Sequence, residues 1–350
     1  MKRKPLKLIV SLILMMVVSC DEPETVVTNY IHPDGSVTRK IEMKSVANNF
    51  SLSNLQVPFD STWIVRDSIE INNEGDTTWV RRAEKLFVNA DEINLTYKND
   101  SGANRAISRQ SAFKKRFKWF NTEYRFSERI EKQLEHGYPV RDFLNEEELL
   151  YFYSPENMQE SKKKSQDSLK YRAMSDTIDS KTDTWSCKNL VSEWIGKFTN
   201  LTDGKGGKDI DRESLKARED EMVKVVKDNS DEFDSLWANG ILLKGFIGEA
   251  NALKYKTEAD SAVNLAIDNV FINFKDYSVR IVMPGKLIGT NGFIDSSEVL
   301  LWPVTSDYFL TEPYEMWAES KTTNTWAWIV SGIFLLFVLT GVVLRVIKKG

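Results

Sequence analysis

The residue types that most often carry enzyme chemistry are scarce in this sequence. Among 350 residues there are two histidines, His32 and His136, and two cysteines, Cys20 and Cys187. A zinc site needs clustered cysteine and histidine ligands, which these separated residues do not supply. A Cys187–His136 nucleophile pair stays open, but Cys187 recurs with apolar residues at helical spacing, which favours a packing role. We therefore assign no catalytic residue, metal ligand or cofactor from the sequence.

A glycine-rich loop, DGKGGKD at residues 203–209, is the segment whose composition most suggests ligand binding. It lacks the alternating oxygen ligands and final glutamate of an EF-hand, and the Lys-Ser or Lys-Thr ending of a P-loop. The pattern therefore indicates a surface turn between helices. Acidic and basic residues nearly balance, with a formal net charge of -4, which argues against nucleic acid as a partner.

Basic and aromatic residues alternate at 112–126, AFKKRFKWFNTEYRF. Phe117 and Trp119 share one strand parity, whereas Phe120 and Tyr124 share the other, so we expect a bulge or bend near 119–120. The commoner arrangement would be a solvated strand face with its aromatic residues in the core. The functional interpretation is a basic aromatic surface that meets lipid headgroups or a partner. Its basic residues would be Lys114, Lys115, Arg116 and Lys118.

The N-terminus has the layout of a bacterial export signal. A basic start precedes an apolar run at 8–18, which is too short to span a bilayer core about 30 Å thick. The following VVSC at 17–20 resembles a lipobox, in which the cysteine receives a diacylglycerol thioether before cleavage. This resemblance implies that residues 1–19 are a lipoprotein signal peptide and that Cys20 is lipidated. An ordinary cleaved signal or an uncleaved anchor is the alternative.

The C-terminus predicts a transmembrane helix. Residues 326–344 carry no charge, and twelve of these nineteen are Leu, Ile, Val or Phe. At about -0.3 to -0.6 kcal/mol each, they contribute about -4 to -7 kcal/mol to insertion. The positive-inside rule places the tail, residues 345–350, in the cytoplasm. The residues expected at the two membrane interfaces are Trp326, Trp328, Arg345, Lys348 and Lys349.

Together the two ends predict attachment to the bacterial cytoplasmic membrane by a lipid and a single span, with the ectodomain on the periplasmic or extracellular side. Helical spans are rare in outer membranes, whose integral proteins are closed barrels, so we expect both anchors in the cytoplasmic membrane. The acceptor tripeptides at Asn49, Asn94 and Asn200 leave a eukaryotic type I membrane protein as the alternative.

Strand patterns occur at both ends of the ectodomain. A Pro-Asp-Gly turn at 33–35 predicts a hairpin between the first two strands. Alternation and β-branched residues predict further strands, which gives the early set 25–31, 36–43, 62–65, 77–82 and 93–97. The late set is 270–274, 277–283, 297–302 and 314–320, of which we expect the first two to form a second hairpin.

The middle of the chain predicts helices. The first is expected at 146–153, followed by a charged helix or partly mobile segment at 156–184. Apolar residues at i, i+3 and i+4 spacing from Trp185 to Phe198 predict an amphipathic helix. Further helices are expected near 211–228, 230–239 and 255–268, with Gly240 as a stop signal.

This order predicts an α+β fold, in which an antiparallel β-sheet domain forms from the N- and C-terminal parts around a helical insertion, plus one C-terminal transmembrane helix. Residues 21–24 reach only about 14 Å, so we expect the first and last strands to begin beside the bilayer as neighbours in one sheet. The predicted divisions are 1–19 signal peptide, 20–140 β-rich part, 141–268 helical insertion, 269–320 second β part, 326–344 transmembrane helix and 345–350 cytoplasmic tail.

Several of these features together resemble LppM-type bacterial lipoproteins. They are the lipobox, the early Pro-Asp-Gly hairpin, MPGKLIGTN at 283–291, VLLW at 299–302 and the C-terminal span. The resemblance covers residues 20–45 and 270–345. It implies an envelope-anchored α+β domain and suggests binding of a lipid or another envelope component, and it supplies no catalytic residues.

The sequence favours a non-enzymatic cell-envelope lipoprotein whose ectodomain binds a protein or lipid component near the outer face of the cytoplasmic membrane. Membrane lipid is an expected partner, and nucleic acid is not. Two alternatives stay open. One is an envelope enzyme that acts on lipid, glycan or peptide through an unrecognised carboxylate site, and the other is a scaffold subunit of a membrane complex.

Overall fold

The computed structural model describes residues 23–50, 57, 60–72, 75–100, 106–203, 209–295 and 299–348. The predicted signal peptide, Cys20 and Lys349 lie outside these residues. The strands in the described part are β1 (Glu24–Ile31), β2 (Val37–Ser45), β3 (Ile64–Ile71), β4 (Thr77–Phe87), β5 (Arg109–Lys118), β6 (Asn121–Ile130), β7 (Tyr277–Val282), β8 (Lys286–Thr290), β9 (Phe293–Ile294), β10 (Leu300–Val304) and β11 (Tyr314–Thr323).

Helices fill the middle of the chain and form its C-terminal end. They are α1 (Ala90–Lys98), α2 (Glu146–Phe152), α3 (Glu156–Lys163), α4 (Ser168–Asp203), α5 (Arg212–Ala217), α6 (Glu219–Asp228), α7 (Phe233–Ala238), α8 (Ile241–Ile247), α9 (Glu249–Lys254), α10 (Lys256–Val270) and α11 (Thr325–Ile347).

The strands form two sheets instead of one. A seven-stranded sheet has the order β3-β4-β2-β1-β7-β10-β9, and a four-stranded sheet has the order β5-β6-β11-β8. Both combine early and late strands, through β1 with β7 and through β6 with β11. Only the β1–β7 pair is parallel among the described pairs. The predicted α+β fold with a helical insertion is therefore confirmed, but the first and last strands are not neighbours.

The sheets pack face to face around one apolar core. Along β1, Val27, Asn29 and Ile31 point inward and are buried, while Thr28 and Tyr30 between them face outward. Phe126 of β6 and Met316 of β11 are fully buried and face the seven-stranded sheet. This alternation is typical of sheets with one core face and one solvated face.

The first strand starts at the far end of this sandwich from α11. Beyond β7, the Pro284 carbonyl accepts a hydrogen bond from Ser320 Oγ at 2.7 Å, close to where β11 leads into α11. Because β1 is parallel to β7, its N-terminal residue, Glu24, lies at the other end, near the start of β11 at Tyr314. Strand β11 spans about 30 Å from that point to Thr323. The first strand therefore starts about one strand length from the beginning of α11, and its position beside the bilayer stays a prediction.

Residues 93–97, predicted as a strand, lie in α1. The Asn89 side chain caps this helix by accepting a hydrogen bond from the Glu92 amide at 3.0 Å. Ile93 and Tyr97 pack on the core, and they stand four residues apart, which is one helical turn. Five residues were too few to distinguish this spacing from the alternation of a strand.

The predicted hairpin at 270–283 is also absent. Val270 ends α10, where it continues the buried face of Val263 and Ala266, so helical spacing extends into the segment predicted as a strand. The other strand of that pair exists as β7. The strands predicted at 62–65 and 297–302 overlap only the beginnings of β3 and β10.

The helical insertion is built around α4. This helix of 36 residues contains the predicted amphipathic segment, and Trp194 and Phe198 are buried in the helical core. Helix α10 packs along it. Gly240 separates α7 from α8 with a φ of 72°, a left-handed conformation that favours glycine, as its predicted role as a stop requires.

Candidate membrane-interface site

The basic aromatic segment forms the tip of a hairpin. Lys118 at the end of β5 pairs with Asn121 at the start of β6, so Trp119 and Phe120 make a two-residue turn. The predicted bulge or bend is therefore wrong, because the chain reverses there. The reversal also explains why the aromatic residues change from odd to even positions at the turn. The aromatic residues of β5 and those of β6 thereby lie on the same face of the sheet.

Burial changes along this hairpin. At its base, Phe126 and Tyr124 are buried between the two sheets. Beyond Tyr124 the seven-stranded sheet no longer covers the hairpin. Phe117, Trp119 and Phe120 are consequently exposed to a large extent.

Asn324 joins the hairpin tip to the start of α11. Its backbone N–H donates to the Phe120 carbonyl at 3.0 Å, and its Nδ2 donates to the Lys118 carbonyl at 2.8 Å. Its Oδ1 accepts from Thr122 Oγ1 at 3.0 Å. Strand β11 stays paired with β6 up to Thr323, so helix and hairpin meet without an intervening loop.

Five aromatic residues surround this junction and form what we call the interfacial aromatic cluster. Its members are Phe117, Trp119, Phe120, Trp326 and Trp328. The Phe117 and Trp326 rings stack at 6.2 Å between centroids, the Trp119 and Trp326 rings meet edge-on at 5.3 Å, and the Phe120 and Trp328 rings lie 4.4 Å apart. Each side chain keeps between 41% and 57% of its surface exposed.

Trp119 reaches along α11 beyond the junction. Its indole Nε1 donates a hydrogen bond to Ser331 Oγ at 2.9 Å. Ser331 lies six residues after the first residue of α11, about 9 Å along the helix axis. The indole therefore follows the first turns of α11 and stays beside Trp326.

Helix α11 is the one helix in the described residues that is long and apolar enough to cross a membrane. Its 23 residues extend about 35 Å, which exceeds a hydrocarbon core of about 30 Å. From Ile329 onward its large apolar side chains are 42–76% exposed, so the described part of the chain leaves much of their surface uncovered. Trp326 and Trp328 lie at its start, and Arg345 and Lys348 lie at its far end.

The four basic residues singled out in the sequence do not share one face. Lys115 points to the inner face of the hairpin, where its Nζ donates to the Pro33 carbonyl at 2.9 Å. Lys114, Arg116 and Lys118 alternate with it and point to the outer face. Lys118 is paired with Glu123. Within the described residues Lys114 and Arg116 make no ion pair.

Two further lysines, which the sequence analysis missed, extend this outer face. Strand pairing places Arg116 opposite Glu123, Glu123 opposite Lys321, and Lys321 opposite Lys286. These residues therefore form one row across all four strands of the sheet. Lys114 lies two residues before Arg116 on the same face. We call Lys114, Arg116, Lys286 and Lys321 the basic row, and none of them has an ion-pair partner in the described part of the chain.

A second cluster of charged and aromatic residues is buried between the sheets. Arg39 Nη2 lies 2.6 Å from Glu128 Oε2, its Nε donates to Asn29 Oδ1 at 2.7 Å, and its Nη1 donates to Tyr97 OH at 2.5 Å. The Tyr97 hydroxyl in turn donates to Glu128 Oε1 at 2.6 Å. Burial alone would lower the pKa of Arg39, but Glu128 and Tyr97 raise it overall.

The chemistry that a nucleophilic cysteine requires is missing around Cys187. Burial and the Asp183 carboxylate raise the pKa of Cys187 to about 11, whereas a reactive cysteine needs a lowered pKa. Cys187 packs against the helical core, and no hydrogen bond joins it to His136. Within the described residues no group of three His, Cys, Asp or Glu side chains is placed to hold a metal ion.

Comparison with known proteins adds little to this geometry. No family model and no curated protein matches the sequence. The NMR structure of the folded domain of Mycobacterium tuberculosis LppM is similar over 87% of this chain and 92% of its own. The identity is 8% and the TM-score is 0.26, which is too low to establish a common fold.

Proposed function

We propose that this chain is a membrane-anchored protein of the bacterial cell envelope whose ectodomain is fixed at the bilayer surface and binds anionic lipid headgroups. The observation that carries the proposal is the interfacial aromatic cluster, in which the hairpin tip packs against the first turns of α11. Because Asn324 binds the same hairpin, the ectodomain and α11 meet as one rigid unit.

The position of the aromatic cluster supports contact with the membrane. Tryptophan and phenylalanine rings that are half-exposed in water leave apolar surface unburied. A bilayer around α11 covers that surface and accommodates the polar edges of the indoles at the headgroup level. The cluster thus acts as a collar that resists tilting of the ectodomain on its helix.

The basic row supports the choice of anionic lipid. Its four cations lie on the outer face of the sheet, near the end from which α11 leaves. Lys and Arg near an anionic surface each contribute about 1 kcal/mol to binding. Since none of the four has an ion-pair partner among the described residues, phosphate groups gain contacts without breaking existing ones.

We further propose that residues 1–19 are a signal peptide, that Cys20 carries a lipid, and that residues 345–350 lie in the cytoplasm. Metabolic incorporation of labelled palmitate tests this part, because Cys20→Ser is expected to abolish it. Labelling that persists in the variant would refute the assignment. Because Glu24 and Thr323 lie at opposite ends of the sandwich, attachment of both anchors to one bilayer requires the body to lie along its surface.

Quenching by brominated lipids tests the position of the aromatic cluster. The full chain is reconstituted in nanodiscs whose lipids carry bromine near the headgroup end of the acyl chains. We expect the quenched share of tryptophan emission to fall in Trp119→Phe. Trp63→Phe is the matched control, because Trp63 lies in the sandwich core, and it should leave the quenched emission unchanged. Equal quenching of wild type and Trp119→Phe contradicts membrane contact.

Lipid enrichment tests the basic row. The full chain is extracted in nanodiscs from mixed phosphatidylcholine and phosphatidylglycerol, and the co-isolated lipids are quantified. We expect enrichment of phosphatidylglycerol that is lost in the triple variant Lys114→Glu, Arg116→Glu and Lys321→Glu. The matched control changes three exposed lysines of the helical insertion to Glu, at Lys164, Lys216 and Lys224. If the control loses phosphatidylglycerol enrichment to the same extent, binding is not specific to the basic row. Enrichment that survives in the triple variant also contradicts the proposal.

A further inference from the structure

A concave groove lies on the outer face of the seven-stranded sheet, away from the four-stranded sheet and its basic row. Its volume is about 390 Å³, within the range of about 300–1,000 Å³ that is usual for ligand pockets. All of its lining residues belong to five adjacent strands, in the order β3, β4, β2, β1 and β7. The outward residues of β1, Val26, Thr28 and Tyr30, form part of its surface.

The charges in the middle of the groove neutralise one another. Glu42 and Arg82 are opposite in the β2–β4 register, and their side chains lie 2.6 Å apart. Lys40 and Glu84 are opposite in the same register and lie 3.2 Å apart. These pairs leave the carboxylates available as acceptors from hydroxyl groups, since a carboxylate has about four lone-pair sites.

Two arginines at the sides of the groove have no carboxylate opposite them in the strand register. Arg66 on β3 makes no ion pair among the described residues, and it lies opposite a second cation, Arg82, in the β3–β4 register. Like charges directly opposite each other destabilise a sheet. On the other side, Arg280 Nη2 forms an ion pair of 3.5 Å with Asp295 Oδ2, which is longer than the two pairs in the middle of the groove. Its Nε is buried without a hydrogen-bond partner in the described part of the chain.

We infer that this groove binds a linear acidic saccharide. Arg66 and Arg280 stand four strand spacings apart, about 19 Å at the backbone, which suits an elongated ligand. The planar guanidinium groups match carboxylate or phosphate groups in a bidentate manner. The sugar hydroxyls donate to the carboxylates of Glu42 and Glu84 between them.

The same lining disfavours other polyanions. An acidic peptide or a DNA strand carries few hydroxyl donors. Such a chain would bring its charges against Glu42 and Glu84 in the middle of the groove without the hydroxyls that those carboxylates can accept hydrogen bonds from. An acidic saccharide instead carries hydroxyls beside its charged groups, so its hydroxyls reach these two carboxylates in the middle while its acidic groups reach Arg66 and Arg280 at the sides.

Calorimetric titration of the full chain in nanodiscs of phosphatidylcholine tests this inference, with oligogalacturonate as the probe. We expect saturable binding that weakens at least tenfold in the double variant Arg66→Ala and Arg280→Ala. The matched control is Arg129→Ala with Arg172→Ala, which removes the same charge from two arginines outside the groove and should bind as the wild type does. Circular dichroism melting of both double variants verifies that each is folded.

Several results would overturn the inference. They are an absence of saturable binding to oligogalacturonate, unchanged affinity in the Arg66 and Arg280 variant, and equal weakening in the control. Equal binding of polyglutamate would show that charge alone is recognised, and equal binding of maltohexaose would show that the arginines are not used. None of these results depends on phosphatidylglycerol, so they are distinguishable from failure of the lipid-binding proposal.

Discussion

Two regions of this molecule combine cations with aromatic rings, and they differ in whether the cations are satisfied. In the buried cluster, Arg39 and Glu128 are each 1% exposed, and three nitrogens of the guanidinium have acceptors. In the basic row, Lys114 and Arg116 face outward without an ion-pair partner in the described residues. A buried charged group needs partners because leaving it unpaired costs desolvation free energy, whereas an exposed charged group is solvated and can still bind a ligand.

This difference suggests that the buried cluster stabilises the fold and that the basic row binds a ligand. The buried cluster links the seven-stranded sheet, which holds Arg39, to the four-stranded sheet, which holds Glu128. Its charged groups are buried and already bound to one another. The basic row contributes little to folding, because exposed charges are well solvated, and its cations are available for headgroups. A charged cluster thus indicates binding only where its groups are both accessible and unpaired.

The largest expected effect comes from breaking the buried pair. Glu128→Ala leaves Arg39 as an uncompensated buried charge, and we expect the free energy of unfolding to fall by about 3–5 kcal/mol. Denaturant unfolding of the full chain in detergent, followed by circular dichroism, measures this loss. The double variant Arg39→Met with Glu128→Leu is the control, because an apolar pair of similar volume is expected to restore most of the stability. A double variant as unstable as the single one would contradict a purely structural role.

A smaller effect is expected at the junction of hairpin and helix. Asn324→Ala removes side-chain hydrogen bonds to Thr122 and to the Lys118 carbonyl, each contributing about 0.5–1.5 kcal/mol. We expect faster amide hydrogen exchange at the hairpin tip with little change in the helical insertion. Asn229→Ala, which removes one side-chain bond in that insertion, should leave exchange at the tip unchanged. Unchanged exchange in the Asn324 variant contradicts a rigid junction.

Neighbouring residues of one strand sharpen the comparison further. Arg116 belongs to the basic row, whereas Lys115 points to the inner face and is bound to the Pro33 carbonyl. We expect Arg116→Ala to lower phosphatidylglycerol enrichment about fivefold, which corresponds to about 1 kcal/mol. Lys115→Ala should leave enrichment unchanged although it removes the same charge. Equal losses of enrichment in the two variants would show that binding depends on the net charge of the protein and not on the position of the cations in the basic row.

The parts of the fold that local sequence determines were predictable. The apolar residues of α11 and the helical spacing around Trp194 are local signals, and both segments form the predicted helices. The predictions failed where a segment was short or lacked a turn signal. Residues 93–97 fit both the helical period of 3.6 residues and the strand period of two. The turn at Trp119 and Phe120 has none of the Gly, Asn or Asp residues that usually mark a hairpin.

The candidate site was only half predictable, for a topological reason. Lys114 and Arg116 stand out in the sequence because they are close together. Lys286 and Lys321 join them only through the pairing of β8 with β11 and of β11 with β6. Pairing between distant strands has no local signature, so a row of residues across a sheet becomes visible only in the structure.

Asp276 is a partly exposed acid, and we expect the smallest effect from its titration, on the pH dependence of the melting temperature. Burial, together with the nearby Asp307 and Glu156, raises the pKa of Asp276 to about 6. Because the folded state holds this proton more tightly than the unfolded state, the stabilisation is complete below about pH 4 and is lost as pH rises through about 6. Part of the side chain is exposed, so we expect a decrease of only a few degrees in the melting temperature between pH 5 and pH 7. Asp276→Asn should remove that decrease, and Asp268→Asn, on the surface of α10, should not. A decrease that persists in Asp276→Asn would place the titrating group elsewhere.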